Sequence, residues 1–163
     1  MSQTSKSAHQ VPGTSGGVLD HIVEGPSAWV AANAGTDWRI QMDAEAVEEL
    51  RRVVHERRIA PLPLLRCSPQ QFALPACRRL MQAVHDEVTR RTGIAVIGGL
   101  PVEEFQPDEL RLIFWLLGQL LSRPVATKWD GTMLYDVADK GVAMGYGVRA
   151  SSMNAELDFH TDN

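Results

Sequence analysis

Val148-Arg149-Ala150-Ser151-Ser152-Met153-Asn154-Ala155-Glu156-Leu157-Asp158-Phe159-His160-Thr161-Asp162-Asn163 closes the chain, and the reading of the fold turns on its second half. Ala155, Leu157 and Phe159 alternate with Glu156, Asp158 and His160, the period of a half-buried strand. Alternate side chains of a strand share a face, so on this reading His160 and Asp162 point the same way and can hold one metal ion together.

The H-x-[D/E] spacing is weak evidence by itself. With five His and 20 acidic residues in 163 positions, about 0.6 matches are expected by chance. His85 and Glu87 also match, but they fall in a helical pattern, where residues two apart diverge by roughly 200°. That pair is expected to form no common site. The strand context makes His160 and Asp162 different. An imidazole and a carboxylate on one face are two-thirds of the two-histidine, one-carboxylate triad that binds non-haem Fe(II) and leaves coordination positions open.

The segment Val148-Arg149, Asn154-Ala155-Glu156-Leu157 and Phe159-His160-Thr161-Asp162 resembles the proximal metal-binding segment of the TauD/TfdA family of Fe(II)- and 2-oxoglutarate-dependent dioxygenases. Upstream, Gly25-Pro26-Ser27-Ala28-Trp29 is similar to an entry segment of the family's clavaminate-synthase-like branch. Gly93-Ile94-Ala95-Val96-Ile97 followed by Gly99-Leu100-Pro101 resembles its strand exit. Gly98 stands where that pattern usually has Arg, and Ser122-Arg123-Pro124-Val125 replaces a usual Gly-Arg-Pro-Val.

The resemblance implies an α+β fold, with N-terminal helices packed on the beginning of a double-stranded β-helix (a jelly-roll, cupin-like sheet) that is incomplete in this chain. It implies an oxidoreductase that oxidises a small organic substrate with O2 while 2-oxoglutarate is decarboxylated to succinate. Fe(II) is then the cofactor and 2-oxoglutarate the cosubstrate, with His160 and Asp162 as metal ligands. Arg149 and Asn154 are candidate contacts to cosubstrate or substrate, or plain turn and strand-edge residues. Family members place a distal His and a 2-oxoglutarate-binding Arg downstream. The expectation is therefore a single-domain dioxygenase truncated after H-x-D and inactive alone. The alternative is a non-catalytic binding or structural remnant of the same fold.

Composition fits part of one globular domain: 44% hydrophobic and 22% charged residues suffice for a core. A net charge of -4 and a pI near 5.7 argue against nucleic-acid or anionic-membrane partners, which need a basic surface. Cys67 and Cys77 have no C-x-x-C spacing and read as reduced thiols in a cytoplasmic protein. Residues 1–17, rich in Ser, Thr, Gln and Gly, read as a flexible tail, with 18–163 as the domain portion.

Three amphipathic patterns predict helices. The first spans 43–57, with Asp43 as N-cap and Ala46, Val47, Leu50 and Val54 inward. The second spans 75–91, with Cys77, Leu80, Met81, Val84 and Val88 inward and Gly93 as stop. The third spans 107–121, with Leu110, Ile113, Phe114, Leu117 and Leu121 inward. Residues 94–97 and 132–137 predict strands. The paired arginines from Arg51-Arg52 to Arg90-Arg91 read as solvated helix faces.

Overall fold

The computed structural model describes residues 22, 24–33, 35–139 and 141. Within them the order is strand β1 (Arg39–Gln41), helix α1 (Ala44–Ile59), helix α2 (Pro75–Arg90), strand β2 (Val96–Gly98) and helix α3 (Pro107–Leu121). Short 3-10 turns lie at Leu64–Arg66, Pro69–Gln71 and Val102–Glu104. The fold is mixed: three helices and a two-stranded parallel sheet, with Arg39 opposite Val96, Ile40 opposite Ile97 and Gln41 opposite Gly98. Parallel neighbours need a long crossover, and α1 and α2 provide it.

Local chemistry sets the helix ends. The Asp43 carboxylate accepts from the Ala46 N–H at 2.7 Å, the side-chain cap the sequence predicts. Pro75 and Pro107 occupy first-turn positions, where a missing N–H costs nothing. The Gln106 N–H donates to the Glu109 carboxylate at 2.8 Å, satisfying a donor at the α3 start that the helix itself leaves free. Beyond α2, Gly93 turns the chain with φ +81°, a left-handed conformation that carries a steric penalty for residues with a Cβ.

The core lies between the helices. Leu50, Val53 and Val54 of α1 meet Cys77, Met81 and Val84 of α2 and Leu112, Ile113 and Leu116 of α3. Leu74 and Cys67, from the α1–α2 connection, close one end. There the buried Trp115 indole N–H donates to the Cys67 carbonyl at 3.0 Å, and the Gln119 side chain donates to the same oxygen at 3.1 Å. The connection is thereby tied to α3.

Four expectations shift. Residues 132–137 form no strand. Asp130 holds the preceding turn through Thr132, and Asp136 pairs with Arg111 at 2.6 Å. Phe114, assigned to the core stripe, is 66% exposed, whereas Leu112 is fully buried. The α3 sequence is apolar on nearly every side, and such a helix leaves its inward face undetermined by periodicity. Val88 is likewise exposed, at the rim of a groove between α2 and α3 that Met81, Val84, Phe114 and Leu117 also line. Strand β1 is absent from the predicted strands, because three residues are too few to display alternation.

Candidate functional site

The residues singled out for chemistry, His160 and Asp162 with Arg149 and Asn154, lie outside the described residues. The predicted terminal strand lies there too. The described residues include two of the other histidines, His55 and His85, and both cysteines.

His85 and Glu87 go to different surroundings. Glu87 is buried; its carboxylate accepts from the Thr92 hydroxyl at 2.8 Å and pairs with Arg91 at 3.2 Å. His85 stays partly exposed, with Nδ1 3.7 Å from the Asp86 carboxylate. His55 is exposed on α1. Among the described residues no group of three or more His, Cys, Asp or Glu is placed to hold a metal ion.

Both cysteines are free and buried. Burial pushes the Cys77 thiol up to about 12, and the nearby Glu49 carboxylate adds to the shift. It stays protonated at neutral pH and is no thiolate ligand or nucleophile. Glu49 itself is 5% exposed and accepts from the backbone N–H groups of Ala76 at 2.8 Å and Cys77 at 2.9 Å. These are first-turn donors of α2, which has no side-chain cap of its own. An acid on α1 therefore caps α2, a role the sequence does not signal because the partners lie far along the chain.

The arginines sit among acids on the surface, as the charge pattern predicts. Arg51 bridges Glu104 and Glu48, and Arg58 reaches Glu109 at 2.7 Å. Arg111 joins Asp108 and Asp136. Hydrogen bonds from Arg51 and Arg58 hold the Glu104 and Glu109 carboxyls below the usual range. Each of these ion pairs joins elements distant in sequence or braces a helix; none faces a cavity together with a His.

Gly98, where the resembling pattern has Arg, has a definite environment. A Cβ there would meet the Gln41 side chain at 2.6 to 3.0 Å, so the Gln41 amide lies over the bare backbone of β2. Next to it, Gly99 adopts φ +85° with the Met42 carbonyl 3.3 Å from where its Cβ would be.

No protein-family model matches the chain. No curated protein matches it either. No described helix is long and apolar enough to cross a membrane.

Proposed function

We propose that the chain is the N-terminal portion of a TauD/TfdA-type dioxygenase, an oxidoreductase acting on a small organic substrate with Fe(II), 2-oxoglutarate and O2. One observation carries the reading: the strand-period alternation of Ala155, Leu157 and Phe159 that runs directly into His160-Thr161-Asp162. The helices backing a parallel sheet support it, because a double-stranded β-helix begun here would need helical cover on one side.

The donor set fits the ion. His160 would supply a neutral imidazole nitrogen and Asp162 an anionic oxygen, a pairing suited to borderline Fe(II). The protonated Cys77 offers no competing sulfur. Bound iron with 2-oxoglutarate and O2 would supply the oxidising power, coupled to release of succinate and CO2. The chain's own part is to hold the ion on one face of a strand, leave positions open, and shield the reaction from solvent. Arg149 and Asn154 would contact cosubstrate or substrate at the strand's start.

The test is succinate formation with Fe(II), ascorbate and 2-oxoglutarate, run on residues 1–163 and on the product of whatever coding sequence follows in the gene. The longer product should turn over, and His160→Ala or Asp162→Ala should abolish the activity. His160 and Asp162 by themselves should bind Fe(II) weakly; even losses behind the ligands lower metal affinity about 10- to 100-fold. A longer product that is silent and binds no Fe(II) would sink the enzyme reading and leave the non-catalytic remnant.

A further inference from the structure

We infer that the turn at residues 127–132 is the knob of a symmetric dimer, in which Trp129 of one copy of this chain enters a cleft on a second copy and its own cleft receives the second copy's Trp129. The contact is separate from the iron chemistry. Trp129 is 98% exposed, and its neighbours bond to one another. The Gly131 N–H donates to the Lys128 carbonyl at 3.1 Å, and the Thr127 N–H and hydroxyl donate to the Thr132 carbonyl at 2.7 and 2.8 Å. The Asp130 carboxylate accepts from the Thr132 N–H at 2.9 Å and from its hydroxyl at 2.6 Å, while the Lys128 ammonium sits 4.0 Å over the Tyr135 ring. Both charges flanking Trp129 are therefore engaged, and the indole is the group left for a partner. A turn fixed in this way loses little freedom on binding.

The residues that follow the turn build the cleft. Leu134, Tyr135 and Asp136 line a hollow of about 360 Å³ with Leu110, Arg111 and Phe114 of α3, at the small end of the cavities that take an organic group. Phe114 is 66% exposed on its wall. Arg111 is held at 2.6 Å from both Asp108 and Asp136, so its guanidinium is fixed in place, and a fixed guanidinium attracts the face of an indole. An exposed apolar residue standing alone needs no partner. Trp129 has a cleft beside it whose Arg, Phe and Tyr are, with Trp itself, the side chains enriched at the centres of protein interfaces.

Three features favour a second copy as the partner. Trp129 is almost wholly exposed, so it does not fill the cleft of its own chain. Knob and cleft lie next to one another along the same segment, so one two-fold axis passing between them brings each knob to the other's cleft, the self-complementary arrangement of most homodimers. The area is also sufficient. Rings such as those of Trp129 and Phe114 bury about 150–250 Å² each. With Val137, 74% exposed just after Asp136, and with every residue counted on both copies, the contact reaches about 1,000 Å², the lower bound for a specific interface. That area supports a weak, reversible dimer.

Sedimentation equilibrium of residues 1–163 tests this. The dissociation constant should fall between about 1 μM and about 1 mM, and Trp129→Ala should raise it at least about tenfold. Phe114→Glu, which places a charge on the cleft wall, should do the same. Both positions are exposed, and circular dichroism should show the helices unchanged. An equimolar mixture of the two variants is the decisive case: the Phe114→Glu chain keeps its knob and the Trp129→Ala chain keeps its cleft, so the mixture should associate more tightly than either variant alone. A chain that stays monomeric to about 1 mM, a dimer that Trp129→Ala leaves unchanged, or a mixture that associates no better than its components would overturn the inference.

Discussion

Replacing Glu49 tests whether one helix is capped by another. Its two carboxylate oxygens each accept one N–H, from Ala76 and Cys77, inside the protein. Glu49→Gln preserves the shape but can offer only one oxygen; the other position becomes an NH2 facing a backbone donor. A hydrogen bond to a charged group contributes about 1.5–3 kcal/mol, and a buried donor left unpaired costs about 1–3 kcal/mol. The amide escapes the desolvation cost of the buried carboxylate, which offsets part of the loss. The net expectation is destabilisation by about 2 kcal/mol, or about 4–8 °C in Tm for a chain of this size. Glu49→Ala, which also removes side-chain packing, should cost about 3 kcal/mol or more. Urea unfolding followed by far-UV circular dichroism and by fluorescence, to which the buried Trp115 contributes, gives both values. Glu48→Gln is the control: Glu48 is exposed, and a surface change of this kind should stay within about 0.5 kcal/mol. If Glu49→Gln has the same midpoint and slope as the parent, the buried cap contributes nothing and the reasoning fails.

Two further outcomes follow from the described residues. The Cys77 thiol is raised from an ordinary 9.0 to about 12, so between those values the folded chain retains a proton the unfolded chain releases; stability should fall as pH rises from 9 to 12. Cys77→Ser should flatten that slope in urea titrations across the range, and an unchanged slope would mean that other groups set it. Gly99→Ala places a Cβ at φ +85° against the Met42 carbonyl and should destabilise by about 1–2 kcal/mol, measurable by thermal melting; a neutral effect would show that the turn relaxes freely.

The helices were legible in the sequence because their signals are local: Asp43 ahead of an apolar stripe, Pro75 and Pro107 at helix starts, Gly93 past a helix end. Alternation is also the local signal that singles out His160 and Asp162, a pair that lies outside the described residues. Tertiary structure alone decided what depends on partners far along the chain. Strand β1 exists because Ile40 has Ile97 beside it, not because three residues announce a strand. The buried face of α3 became Leu112, Ile113 and Leu116 because a helix apolar over most of its surface takes its orientation from the neighbours it meets. Glu49 reads locally as one more acid among Glu45, Glu48 and Glu56. It became a buried cap only because the start of α2, 27 residues onward, came to rest on it. Propensity and periodicity act over one or two turns of chain, whereas burial of a charge or choice of a face is set by contacts that form only when distant segments pack.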